Sequence, residues 1–470
     1  MTISLGQGRG FSMGNERHHS PQRDLGRNQR KNLAHKSPKL TQTFSVFSVA
    51  SAVKLHWVAA ACCAVGLGLT SWLLIPIPAF GQTDTEISRL FAQIHAKENV
   101  VKPPRGILKH QYLVPAGPYF QLFDWDMYFM GVSLSYDHVG EPVASSIEDF
   151  LEFVDEYANW RGYTPREIAP DALWALPEMC KPFLAQAAVR ASRTMGDYQW
   201  LLQPNGESKK TNFAKLADTL TFWENTRRAP DGFFLWYDGV ESGVDNNPAV
   251  SDVPAQVTEG VDLQCYLYRE YRAMAVLAAK LGMNQEAGSY TAKADDLEAR
   301  VRARMWSETD GMFLNIDART SQHVKVKTWT NLVPLWAAVA TRDQAARMIK
   351  SHVLNPREFW CDYGIRTITP DESLYDARAG YWRGPVWVIS NYLVMHGLMN
   401  YGYQAEAAQL AARTVSLLSA DIKSSGGMNE NYDPDNGHPA AGGHFLSWNL
   451  LAEHMMEEAG AGTDPTALQW

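Results

Sequence analysis

Apolar positions along residues 83–470 recur at spacings of three and four in one segment after another, the period of helices with one buried face. In 260–281, Leu263, Leu267, Tyr271, Met274, Leu277 and Leu281 repeat at four, four, three, three and four. Related patterns predict helices over 85–97, 120–136, 213–227, 285–306, 329–339, 342–352, 405–419 and 444–458. Ser145 with Glu148, and Ser146 with Asp149, have the spacing of a capping box. The helix it predicts carries Ile147, Leu151, Val154 and Tyr157 on one face. Pro182 predicts a helix start running to about residue 201, and Pro385 predicts another running to 400. No run of strict alternation argues for strands.

These helices differ in character. The stretch 386–399 (VWVISNYLVMHGLM) is apolar nearly all round and predicts a helix buried on every side, whereas 285–306 is half charged and predicts one face in water. Fully buried helices alternating with half-exposed ones, about twelve in all, suggest two concentric layers. An all-α, (α/α)6 six-hairpin toroid or barrel is the natural arrangement. No linker interrupts 82–470, so that stretch reads as a single catalytic domain.

The N-terminal part is different. Residues 1–81 carry nine Lys or Arg against two Asp or Glu, and the rest carries 34 against 49, a net of −15. Residues 1–56 read as a polar, basic leader without the apolar content to fold. Residues 57–75 are uncharged, and Ala79, Phe80 and Gly81 form a small-residue cleavage pattern. The segment 57–81 therefore reads as a signal peptide or a membrane anchor, and the body is expected to be exported or membrane-tethered. An upstream start codon is the plainer alternative for the leader. An acidic body argues against nucleic acid as a partner. The widely spaced Cys180, Cys265 and Cys361 offer neither a metal cluster nor a disulfide framework and read as small buried side chains. No metal or cofactor is expected.

Two loops carry the candidate chemistry. Residues 229–257 lack apolar periodicity but hold Phe233, Phe234, Trp236 and Tyr237, which argues for an ordered loop over a pocket. Asp245 lies in it as a candidate catalytic acid. In 426–437, Glu430 stands between Asn429 and Asn431, whose amides could donate to its carboxylate and keep it ionised, as a general base requires. Two loop carboxyls are the minimum equipment for glycoside hydrolysis. In a chain with 51 Asp and Glu such a pair alone is weak, since either could be a solvated loop acid. The run Asp433 to Gly437 lacks the rest of a calcium loop and reads as a turn.

Several stretches, in order, give the pair a context: PAGPYFQLFDWDMYFMG (115–131), RGYTPRE (161–167), KPFLAQ (181–186), ESGVDNNP (241–248), VDLQCYLYRE (261–270), YGIRTITPDE (363–372), YWRGPVW (381–387) and NENYDPDNG (429–437). Together they resemble glycoside hydrolase family 63, and within it the short single-domain branch of mannosylglycerate hydrolases. The resemblance implies the same toroid, Asp245 as general acid, Glu430 as general base and inversion at the anomeric carbon. It places Tyr119, Trp125 and Asp126 at the sugar subsite, and Tyr381, Trp382 and Arg383 at the pocket wall. Gln186 is implied to face the pocket, and Trp448 is a candidate for its floor. For Arg383 a brace to Asp or Glu is an equal alternative to a substrate carboxylate. For Gln186 a backbone-bonded amide is the rival, and for Trp448 core packing. The family often has K-P-P where this chain has Lys181-Pro182-Phe183.

The expected function is an inverting α-glycosidase acting on a small carbohydrate substrate, mannosylglycerate or glucosylglycerate first. The alternatives are an α-glucosidase or trehalase-like hydrolase, a sugar epimerase using histidines such as His138, His396 or His444, and a non-catalytic sugar binder. The sequence leaves the oligomeric state open.

Overall fold

The two most apolar segments become helices buried along their length: Asp124–Leu134 throughout, and Val388–Asn400 at every residue from Val388 to Met399. By contrast Asn284–Arg300 buries only Ala294 and Leu297, so its charged face meets water as its pattern predicts. The computed structural model describes residues 80–154, 161–172 and 177–468, all within one compact unit, Leu74–Trp470. The basic leader and the apolar run 57–75 lie outside the described residues. Among the described residues no helix is long and apolar enough to cross a membrane.

Six buried segments form an inner ring. Asp124–Leu134 packs on Leu184–Met195, which packs on Val261–Lys280, then Val333–Trp336, then Val388–Asn400, then the 3-10 segment Ser447–Glu453, which returns to Asp124–Leu134. Outside them run Phe80–Gln93, Glu141–Glu152, Asn212–Thr226, Asn284–Arg300, Arg342–Met348 and Gln404–Ser425. This is the six-hairpin toroid. It forms because each outer helix has one apolar face to cover an inner helix that is apolar on both.

Three details differ from the pattern-based reading. Glu141–Glu152 begins at Gly140 with Pro142 in its first turn, so the supposed capping box lies inside the helix. Ser145 and Ser146 there bond back to the carbonyls of Glu141 and Pro142. The helices placed after Pro182 and Pro385 start later, at Leu184 and Val388, because the residues between make other backbone bonds. Short antiparallel strands, which no periodicity announced, join the loops between helices. Leu122–Phe123 pairs with Glu167–Ile168, and Asn431–Tyr432 with Pro439–Ala441. Val386 exchanges both backbone bonds with Tyr432, at 2.7 and 2.9 Å, which ties the 381–387 segment to the Glu430 loop.

Candidate active site

The loop bearing Asp245 is fixed from beneath. Asp238 caps the turn Gly239–Ser242 by accepting from the Glu241 amide at 2.8 Å. The fully buried Glu241 pairs with Arg227 at 2.9 Å and accepts from the Met179 and Tyr237 amides. Such anchoring satisfies the buried Glu241 charge. Gly243 has φ +77, and a Cβ there would stand 2.7 Å from the Trp125 ring, so the chain can pass only as glycine. Asn246 then donates to the Gly380 carbonyl at 2.8 Å and accepts from the Trp382 amide at 3.0 Å.

Asp245 and Glu430 line one cavity of about 210 Å³ together with Tyr119, Trp125, Asp126, Tyr381, Trp382 and Trp448. The Glu430 backbone is held by the Ala441 carbonyl at 2.9 Å, and the inner segment holds the same loop through Asn449, which donates to the Asn429 carbonyl at 2.9 Å. Glu430 Oε1 accepts from the Tyr119 hydroxyl at 2.9 Å and the Tyr381 hydroxyl at 3.3 Å. Burial and the neighbouring carboxylates push both phenols well above their usual range, so they stay protonated and act as donors. The flanking asparagines do not serve Glu430. Asn429 donates to Asp421 at 2.8 Å, and the side chain of Asn431 has no partner among the described residues.

Burial pushes Glu430 up to about 7 against the pull of the two hydroxyls, and pushes Asp245 up to about 6 against the pull of Arg166 and Lys181. The pair therefore holds about one proton in the range between those values, which supplies one acid and one base. Among the described residues no side chain or backbone amide donates to the Asp245 carboxyl. Glu430 is thus fed by two hydroxyl donors that favour its anion, whereas the Asp245 carboxyl accepts no such bond. With those bonds included, Glu430 is still the higher of the two.

Asp126 is buried and bonded to the Ser447 hydroxyl, and burial, the largest influence, pushes its carboxyl up to about 7. The tryptophans form one cluster. Trp125 meets Trp448 edge-on at 5.4 Å, and Trp382 stacks on Trp387 at 3.6 Å. The indole N–H groups of Trp382 and Trp448 are buried without a partner among the described residues.

Two sequence-predicted binding residues lie elsewhere. Gln186 is absent from the cavity wall: its amide donates to the Pro182 carbonyl at 2.8 Å and accepts from Arg269 at 3.0 Å. Arg383 also does not line the cavity. It donates to the Asn246 carbonyl at 2.6 Å and to Asp252 at 2.7 Å, bracing the acid loop. His396 is a core residue paired with Glu458 at 2.9 Å, and the Asp433 segment is a turn in which Asp433 accepts from the Asp435 amide. Sequence reasoning passed over Arg166 and Lys181, which line the cavity near Asp245. Lys181 is held by Asp124 at 3.0 Å and lies 5.1 Å from the Trp125 ring centre. Arg166 was visible only as a cation inside the RGYTPRE stretch.

A helical toroid whose tryptophan-lined cavity holds Asp245 and Glu430, beside Asp126 and Glu167, has the carboxyls that a glycoside hydrolase requires. Residues 167–448, more than half of the chain, match the family model described as "Mannosylglycerate hydrolase MGH1-like glycoside hydrolase domain", and the chain belongs to that family. It is 32% identical over 194 residues to a mannosylglycerate hydrolase of Rubrobacter radiotolerans, covering 41% of this chain and 42% of the relative. It is 24% identical over 385 residues to human trehalase, covering 72% and 64%. The match thus spans less than two thirds of either relative. Among solved structures, the glycoside hydrolase family 63 mannosylglycerate hydrolase from Thermus thermophilus in complex with glucose shares the fold, with a TM-score of 0.57, 19% identity and coverage of 80% of this chain and all of that one.

Proposed function

We propose that the protein is an inverting α-glycosidase acting on a small glycoside whose leaving group bears a carboxylate, mannosylglycerate or glucosylglycerate. The observation that carries this reading is the cavity of about 210 Å³ in which Asp245 and the doubly hydrogen-bonded Glu430 meet. Asp245 protonates the glycosidic oxygen as the bond breaks. Glu430 takes a proton from water, which attacks the anomeric carbon from the opposite face. Asp126 receives sugar hydroxyls, whose donors replace the water it loses on burial. The unpaired indole N–H groups of Trp382 and Trp448 donate to sugar oxygens.

Arg166 supports the charged leaving group. It lies on the Asp245 side, where the leaving oxygen must sit; one Nη pairs with Glu167 at 3.3 Å, while its Nε is buried without a partner among the described residues. A glycerate carboxylate would complete it. The test is a hydrolysis screen of mannosylglycerate, glucosylglycerate, trehalose and short α-gluco- and α-manno-oligosaccharides, with Arg166→Ala alongside. The reading expects turnover of a glyceryl glycoside, lost in Asp245→Asn, and a KM raised in Arg166→Ala for that substrate. The longer match to trehalase favours a second reading, hydrolysis of a neutral α-disaccharide. Turnover of trehalose alone, indifferent to Arg166→Ala, would establish it. The basic leader and apolar run support export or tethering, which cell fractionation of the full chain tests.

A further inference from the structure

A second cluster of metal-type donors stands apart from the catalytic cavity. Val101–Lys102 pairs with Tyr112–Leu113, and His110 sits in the loop between them. Asp149 and Glu152, three residues apart on Glu141–Glu152, share the helix face that meets this loop. One ligand atom from each of His110, Asp149 and Glu152 lies within 4.8 Å of the others. Asp149 is fully buried, and its Oδ1 accepts from the Lys109 and His110 amides at 3.0 and 3.3 Å. Among the described residues, its Oδ2 is buried with no partner. A carboxylate oxygen left so is costly unless something positive reaches it.

Lys109 reaches Glu152 rather than Asp149, and its side chain is 63% exposed, free to leave for solvent. A cavity of about 370 Å³, lined by Lys109, His110, Glu148 and Glu152, opens beside the cluster and has room for coordinating waters. Tetrahedral zinc ligands lie about 2.0–2.2 Å from the ion and so about 3.3–3.6 Å apart. Rotation of the partly exposed His110, and of the Glu152 side chain as it leaves Lys109, would bring the three atoms from within 4.8 Å to that spacing.

We propose that His110, Asp149 and Glu152 bind one divalent cation of the zinc or manganese class, clamping the 103–111 loop onto the Glu141–Glu152 helix. An imidazole with two carboxylates selects such ions over magnesium, which keeps to oxygen. Ion binding displaces Lys109 from Glu152 and any proton from His110. None of the three ligands lines the catalytic cavity, so the site is structural.

The experiment uses the full chain, stripped with a chelator and titrated with Zn²⁺, Mn²⁺ and Mg²⁺. Metal retained per chain after gel filtration is measured by elemental analysis, and thermal melting is followed in parallel. The proposal expects one Zn²⁺ per chain, a melting temperature raised by Zn²⁺ or Mn²⁺ but not by Mg²⁺, and at least tenfold weaker binding in His110→Gln and Glu152→Gln. Turnover by metal-free His110→Gln is expected to equal that of the metal-free wild type. Asp149→Asn is kept as a third variant only, because that residue also holds the loop amides. No retained metal, or undiminished binding in both His110→Gln and Glu152→Gln, would overturn it.

Discussion

Replacing Tyr119 by Phe removes one hydroxyl and keeps the ring, whose edge contacts to Phe123 and Phe445 have centroid distances of 5.8 and 5.9 Å. Glu430 is left with the Tyr381 hydroxyl alone, at 3.3 Å. A hydrogen bond to a charged group contributes about 1.5–3 kcal/mol, and about 1.36 kcal/mol corresponds to one pH unit. The Glu430 carboxyl, already at about 7, therefore rises by about one to two pH units. The proposed mechanism needs Glu430 ionised and Asp245 protonated. With Asp245 at about 6, the productive arrangement is already the minor one in the free enzyme, and the substitution makes it scarcer by about 10- to 100-fold. The top of the kcat/KM profile should fall by that factor, and its upper limb should move up by one to two pH units. The assay is kcat/KM from about pH 4 to about pH 9 for both proteins, which reports the free enzyme. If Glu430 were the proton donor, the same rise would widen the profile without lowering its top, and the role assignment would be refuted. An upper limb that stays in place would refute the hydrogen-bond argument itself.

Three further outcomes are expected. The folded-state value of Asp126, about 7 against an ordinary 3.8, means that the ionisation-linked cost of its burial is absent below about pH 4, grows between about pH 4 and 7, and levels off above 7. Asp126→Asn should therefore stabilise the fold by at most about 4 kcal/mol at pH 8 and by nothing near pH 3.8, read from urea unfolding at each pH, while KM rises. Gly243→Ala combines a backbone at φ +77 with a Cβ driven into the Trp125 ring, and should cost about 1–3 kcal/mol in urea unfolding and raise KM. Arg383→Ala removes the brace between Asp252 and the Asn246 carbonyl, so kcat should fall more than KM changes, with partial recovery in Arg383→Lys.

The toroid was legible because helical periodicity is a local property, and the contrast between 386–399 and 285–306 already separates inner from outer layer. The paired strands of two or three residues were not, since two residues carry no period. Pro142 overrode the Ser145 and Ser146 signal because a proline in the first turn suits a helix start better than a serine three residues on. Asp245 and Glu430 could be found from their motifs, and the structure places them in one cavity. The partners of Glu430 could not: Tyr119 and Tyr381 lie 311 and 49 residues away, while the adjacent asparagines turn elsewhere. Gln186 and Arg383 show the same limit. A helix buried on every side does not reveal which side meets the cavity, and a loop arginine does not reveal which carbonyl it reaches.

The central claim is that Asp245 and Glu430 act across one sugar with water attacking from the far face. The most direct measurement follows hydrolysis of an accepted α-glycoside by NMR in the first minutes, before the released sugar mutarotates. The account predicts that the β-anomer appears first, and that Asp245→Asn and Glu430→Gln, each folded, release neither anomer at a comparable rate. Release of the α-anomer first would mean a covalent intermediate and would contradict it.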